Sequence, residues 1–172
     1  MNTKIPTWVD GTLTPVDKLE AHVKALRHKA VSVFILHKGK VLLQQRAAGK
    51  YHTPNLWANS CCTHPHWGED PRDCAIRRLR EELGIIGLDP VWVEQLEYRA
   101  DVGGGLIEHE VVDLFVIRCD TLPKIDLNPE EVQATRWADP AELDTDISRT
   151  PEVFTPWLRI YLRDHRASVF GA

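Results

Sequence analysis

The stretch KAVSVFILHKGKVLLQQRA, residues 29–47, holds two apolar runs separated by Lys38-Gly39. That pattern predicts two strands joined by a tight turn, the first too continuously apolar to keep one face in water. Upstream, Asp10-Gly11 interrupts the strand-like WVDGTLTPV, which predicts a small N-terminal hairpin. LWANSCC reads as one short strand. The clearest helix is DPRDCAIRRLREELG, with Asp70 as N-cap, Pro71 at the first helical position and Gly84 as the stop. Its apolar stripe is Ala75, Ile76, Leu79 and Leu83 at helical spacing. A long hairpin follows, VWVEQLEYRAD and LIEHEVVDLFVIRC about the turn Gly103-Gly104-Gly105. EVQATRWADPAEL gives a further strand and helix, and TPWLRIYLRDH a terminal helix. Strands interleaved with helices in this order predict an α/β (α+β) fold, a mixed β-sheet sandwiched between helices.

At 172 residues the chain is long enough for one core and too short for two, so residues 1–172 read as a single domain. No repeat or linker-like run divides it. A composition of 43% hydrophobic and 27% charged residues excludes a disordered chain, and no apolar run approaches the roughly 20 residues of a bilayer span. The N-terminus lacks the apolar core and cleavage site of a secretory signal, which makes a cytoplasmic location the expectation. Net charge is −4 with arginines interleaved among acids, not the basic footprint of a nucleic-acid binder. No membrane, nucleic-acid or protein partner is expected.

Candidate chemistry concentrates in NSCCTHPHWGED, residues 59–70. The four cysteines, Cys61, Cys62, Cys74 and Cys119, include no C-x-x-C pair, and a vicinal bridge would need a strained turn, so free thiols are expected. Cys74 and Cys119 read as small core hydrophobes. In an extended stretch Cys61 and Cys62 point to opposite faces, one toward packing and one toward chemistry. On the predicted strand Glu108 and Glu110 share a face, and His109 alternates off it. An isolated histidine is ordinarily a surface or capping residue, the reading given to His37, His52, His66, His109 and His165.

Glu69 to Ile85 places Glu69, Arg77, Leu79, Glu81, Glu82, Gly84 and Ile85 in the register E-x7-R-x-L-x-E-E-x-G-I. This resembles the Nudix box, with two departures: Thr63 stands at the initial glycine, and Arg78 at the glutamate after Arg77. With the flanks Asn59, Ser60, Cys62, His64 and Pro65, the strand motif of Glu108 and Glu110, the upstream pair His22 and His28, and FTPW ending at Trp157, the chain resembles the type I isopentenyl diphosphate isomerases of the Nudix superfamily. The resemblance spans about residues 18–157. It implies a Nudix core of about residues 28–162, preceded by a hairpin and metal-ligand extension of about residues 1–27.

The resemblance also implies a reaction, the 1,3 proton shift between isopentenyl and dimethylallyl diphosphate in isoprenoid biosynthesis. Protonating an unactivated alkene gives a tertiary carbocation, which demands an acid, a base and a dry pocket. By resemblance Cys62 and Glu110 are the proton carriers, with Tyr98 close to Glu110; core packing serves Tyr98 equally well. Trp157 would face the cation, or pack at a helix start. His22, His28, His64, Glu108 and Glu110 would hold a zinc or manganese ion, since mixed N/O donors in that number suit a borderline divalent metal. Magnesium at the diphosphate would use Glu82 and the Cys62 carbonyl. Lys18, Arg46, Lys50 and Arg78 would bind the substrate's diphosphate, although Arg46 and Lys50 also fit a solvated loop edge and Arg78 an i,i+4 pair with Glu82.

Two other readings stand beside this one. A Nudix diphosphate hydrolase is opposed by Arg78, which removes a metal-binding carboxylate from the box. A zinc-binding module is opposed by the want of a second paired-Cys motif.

Overall fold

The computed structural model describes residues 3–171. The N-terminal hairpin is β1 (Lys4–Val9) and β2 (Thr12–Asp17), followed by a short helix α1 (Lys18–Val23) that the sequence pattern did not single out. The Asp17 carboxylate caps α1 by accepting from the Leu19 and Glu20 amides. The two apolar runs form β3 (Arg27–His37) and β4 (Lys40–Arg46). LWANSCC is not one strand but two, β5 (Trp57–Ala58) and β6 (Cys61–Thr63). The cause is a change of partner: β5 pairs with β4, whereas β6 pairs with β3. Between them side chains replace the ladder. Ser60 Oγ donates to the Leu42 carbonyl at 2.7 Å and accepts the Ile35 amide at 2.8 Å, and Asn59 Nδ2 donates to the Val33 carbonyl at 3.0 Å.

Helix α2 (Pro71–Leu83) starts at Asp70, whose carboxylate accepts the Arg72 amide, and stops at Gly84 with φ 63°. Glycine is required there twice over, since a Cβ would also meet the Asp126 carbonyl oxygen at 2.5 Å. The buried stripe is Cys74, Ala75, Leu79 and Leu83, with Glu82 beside it; Ile76, expected in it, is 38% exposed. The stripe is rotated toward Cys74 because that edge packs on Cys61 and the apolar face of β3. The long hairpin is β7 (Val91–Gly103) and β8 (Leu106–Cys119). Then come β9 (Val132–Ala138), α3 (Pro140–Arg149), α4 (Pro156–Asp164) and a further short helix, α5 (Arg166–Phe170).

The nine strands form one mixed sheet centred on β3. One edge of β3 pairs in parallel with β8 along its whole length, from Arg27↔His109 to His37↔Cys119. The other edge is divided among β1 at His28, β6 at residues 31–33 and β4 at residues 36–37, all antiparallel. Strand alternation sorts the central residues to two faces. Val31, Val33 and Ile35 of β3 with Phe115 and Ile117 of β8 pack under α2. Ala30, Phe34 and Leu36 with Val112, Leu114 and Val116 pack under α4, with Trp157 and Tyr161. Helices thus cover both faces, as the element order predicts. The hairpin β1/β2 joins this sheet through β3, so residues before 27 extend it at one edge.

Candidate active site

The second face turns polar toward the β1 side. Continuing its alternation from Phe34 through Ser32 to His28, and from Val112 through Glu110 to Glu108, replaces apolar side chains with donors and acids. Register aligns them: His28 lies opposite Glu110 on β8, Tyr98 opposite Glu110 on β7, and Cys62 opposite Ser32. Helix α1 brings His22 to the same place, and the segment after β6 brings His64. Buried polar groups of this kind must be paired or must serve a ligand.

His22 Nδ1 lies 2.7 Å from the Lys18 carbonyl and His28 Nδ1 2.7 Å from the Leu26 carbonyl. A carbonyl only accepts, so each Nδ1 carries a proton, which leaves each Nε2 as the ring atom that can serve another partner. Both Nε2 atoms are buried with no hydrogen-bond partner. Fixing one ring nitrogen on a carbonyl so that the other is free is how a protein orients a metal-binding imidazole. His64 Nε2 sits 2.9 Å and His28 Nε2 3.5 Å from Glu110 Oε1. The donor atoms of His22, His28, His64 and Glu110 lie within 4.8 Å of one another, a buried group that can hold a divalent metal. A second set, His22, His52 and Glu108, meets the same limit.

His52 therefore departs from the surface role expected of it. It is 5% exposed, its Nε2 lies 3.4 Å from Glu108 Oε1, and its Nδ1 lies 2.9 Å from Thr53 Oγ1. No motif marked it; the only cue was its place in RAAGKYHTPNLW, beside Lys50. Burial, and after it Arg46, pushes the imidazole down to about 2, so the ring is neutral. Burial and the neighbouring His28 likewise lower His22 to about 4. The other four lone histidines lie outside this group. His109 bonds Glu97, His165 bonds Glu94, His37 bonds the Cys119 carbonyl, and His66 is exposed.

Tyr98 Oη lies 2.7 Å from Glu108 Oε2 and 2.9 Å from Glu110 Oε2. One phenol proton serves one carboxylate at a time. Burial and the adjacent Glu110 raise the Glu108 carboxyl. Burial opposes the charge on Glu110 as well, but the facing His64 and His28 rings outweigh it and hold Glu110 low. Cys62 Sγ donates to Asn59 Oδ1 at 2.8 Å and lies 3.3 Å from Ser32 Oγ, which in turn meets Tyr161 Oη at 2.7 Å. Burial pushes the Cys62 thiol far up, so it is protonated at neutral pH.

Cys62, Tyr98, Glu108, Glu110, His52, His64 and Trp157 line one cavity together with Lys18, Arg46, Lys50, Arg78 and Glu82. Its volume is about 30 Å³, room for a water and little more. The four cations are close enough that Lys18 falls to about 8, through burial first and then Lys50, Arg78 and Arg46. Only some are free to take a ligand. Arg78 Nη2 bonds Glu82 Oε1 at 2.5 Å and lies 3.3 Å from Glu131, while Lys50 bonds Glu131 at 2.5 Å. Glu131, unmarked in the sequence, is the shared counter-ion of both. Trp157 is 1% exposed, with its Nε1 unpartnered and the Arg46 guanidinium 5.3 Å from its ring.

A family model described as the NUDIX domain matches residues 26–158. The chain is 61% identical to an isopentenyl-diphosphate Delta-isomerase of Cereibacter sphaeroides over 171 residues, 99% of this chain and 97% of that protein. The protein of the same description from Roseobacter denitrificans is also 61% identical, with the same coverage, and that of Ruegeria pomeroyi is 55% identical, covering 99% and 95%. Among solved structures, one from Deinococcus radiodurans superposes with a TM-score of 0.72 at 17% identity, covering 93% of this chain and 96% of the other. A MutT NUDIX hydrolase from Burkholderia pseudomallei gives 0.61 at 21% identity, covering 80% and 96%. At such identities these two share the fold.

Proposed function

The chain belongs to the Nudix family, and from that premise we propose that it interconverts isopentenyl diphosphate and dimethylallyl diphosphate by a 1,3 proton shift. The observation that carries the reading is that a protonated thiol, Cys62, and an ionised carboxylate held by hydrogen bonds, Glu110, line one small cavity with a cluster of cations. The full-length relatives described as isopentenyl-diphosphate Delta-isomerases support it. Arg78 weighs against hydrolysis, because it holds the box carboxylate Glu82 in an ion pair.

Protonation of the substrate alkene needs a proton donor at one carbon, and loss of a proton two carbons away needs an acceptor. Cys62 and Glu110 are these two carriers, and in the reverse direction they exchange roles. Tyr98 orients Glu110 and can relay its proton. Trp157 excludes water and offers its ring face to the tertiary cation. Lys18, Arg46, Lys50 and Arg78 take the diphosphate, the last two by exchanging Glu131 for phosphate oxygens. A divalent ion, zinc or manganese, held by His22, His28, His64, Glu108 and Glu110 would neutralise the paired carboxylates and fix their orientation, and magnesium on Glu82 and the Cys62 carbonyl would offset phosphate charge. Tyr51, 43% exposed with Lys18 Nζ 5.2 Å from its ring centroid, forms the outer part of the cavity wall.

The test is incubation with isopentenyl diphosphate in heavy water, followed by NMR. Allylic product carrying deuterium, with no release of phosphate or pyrophosphate, is the expected result. Inorganic phosphate from nucleotide diphosphates with no deuterium in the isoprenoid overturns the reading.

A further inference from the structure

We propose that Glu131 limits the affinity of the cation cluster for diphosphate, because its carboxylate stands in for the phosphate on Lys50 and Arg78 and must yield when substrate binds. The inference rests on the reading of Lys18, Arg46, Lys50 and Arg78 as the diphosphate site, and it gives a role to a residue that no motif marks.

Glu131 Oε2 lies 2.5 Å from Lys50 Nζ and 3.3 Å from Arg78 Nη2. The three side chains are only 16% to 25% exposed, so solvent screens them less than an ordinary surface pair. The backbone fixes the carboxylate between the two elements that carry its partners. The Glu131 carbonyl accepts the Ala47 amide at 3.0 Å, at the start of the loop that bears Lys50. The Glu131 amide donates to the Asn128 carbonyl at 3.0 Å, and the Asn128 amide donates in turn to the Glu82 carbonyl at 2.9 Å, near the end of α2. Loop and helix are thus tied at one point, from which the Glu131 side chain meets a cation of each.

The cations need such a partner before a ligand arrives. Burial, and then Lys50, Arg78 and Arg46, lower Lys18, so the positive charges act on one another across the cavity. A diphosphate relieves that repulsion as Glu131 does, but the two anions then compete for the same donors and repel each other. Glu131 therefore opposes diphosphate binding. The proposed reaction gives this a use. The proton shift alters only the hydrocarbon, so the diphosphate is held equally in substrate, transition state and product. Binding of that uniform kind lowers KM without raising kcat, and an excess of it retains the product.

The test titrates inorganic pyrophosphate with Mg2+ into wild type and Glu131→Gln by calorimetry, and measures KM with isopentenyl and with dimethylallyl diphosphate. The variant is expected to bind pyrophosphate about 10-fold more tightly or better, the scale of one charge-assisted contact no longer opposed. Both KM values should fall by a similar factor with no rise in kcat. Glu131→Ala, a second neutral variant, is held to the same expectation, and Glu131→Asp, which keeps the charge, should bind pyrophosphate no more tightly than wild type. A gain in affinity is a result that damage to the fold does not produce. Equal or weaker binding by the neutral variants, or equal tightening by Glu131→Asp, overturns the inference and leaves the proposed isomerisation standing. A wild type that takes no pyrophosphate overturns the reading of the cation cluster on which the inference rests.

Discussion

Cys61 and Cys62 are neighbours in sequence and stand on opposite faces of the sheet. Cys61 is fully buried in the cluster beneath α2, with Cys74 and Leu79, whereas Cys62 turns its sulfur to Asn59 Oδ1 and lines the cavity. Strand alternation alone produces that split. Cys62→Ala is expected to lower kcat by at least about 10²–10⁴-fold, the usual worth of a positioned acid or base. Cys61→Ala is expected to cost about 1–2 kcal/mol of stability with turnover kept. Equal losses of activity in two folded variants would mean that the sulfurs act as a pair.

Arg78 and Glu82 are linked across one turn of α2, with Glu131 as a second acceptor. Arg78→Glu restores a carboxylate to the box but packs it against Glu81, Glu82 and Glu131. The Michaelis constant for isopentenyl diphosphate is expected to rise about 10-fold or more, the equivalent of one charge-assisted hydrogen bond. No hydrolytic activity should appear. An unchanged Michaelis constant would confine Arg78 to balancing its glutamates.

Trp157 presents a ring that a cation already favours, since Arg46 lies over it. If the same ring steadies the substrate cation, the contribution is about 2 kcal/mol, or roughly 30-fold in rate. Trp157→Phe is therefore expected to keep part of the turnover and Trp157→Leu to lose about 30-fold more. Both leave space in the core, so thermal midpoints of the two variants supply the control. Equal kcat for Phe and Leu in folded protein would reduce Trp157 to packing.

Glu69 reaches from the loop ahead of α2 to Arg77, with contacts at 2.6 and 2.9 Å, and also accepts the His66 amide. Arg77, and then the His66 amide, hold its carboxyl at about 2 against the opposing effect of burial. A carboxyl held below its unfolded value of about 4.3 adds stability above that pH and loses it as pH falls through the folded value. The pair is part-exposed, so about 1 kcal/mol is the scale. Urea denaturation of wild type and Glu69→Gln should differ by that amount at pH 6, converge between pH 4 and pH 2, and coincide below. A difference that persists at pH 2 would assign the effect to packing.

Elements whose cause is local are legible in the chain alone. Asp70, Pro71 and Gly84 bound α2 because capping and left-handed backbone are properties of single residues. The split of Cys61 from Cys62, and the shared face of Glu108 and Glu110, follow from a period of two. Family motifs drew His22, His28, His64, Tyr98 and Trp157 to attention, and the structure sets the first four around Glu110 and Trp157 in the wall of the adjoining cavity. Features that depend on partners distant along the chain emerge only on folding. LWANSCC breaks because β3 and β4 each claim half of it, which no property of those seven residues specifies. The stripe of α2 turns from Ile76 to Cys74 because Cys61 lies beneath that edge. Glu131 becomes the counter-ion of Lys50 and Arg78, and His52 a buried neighbour of Glu108, because the sheet carries their loops over the cavity. Burial of a polar side chain is a property of the assembled surface around it, and a single histidine in a loop carries no periodic signal to announce it.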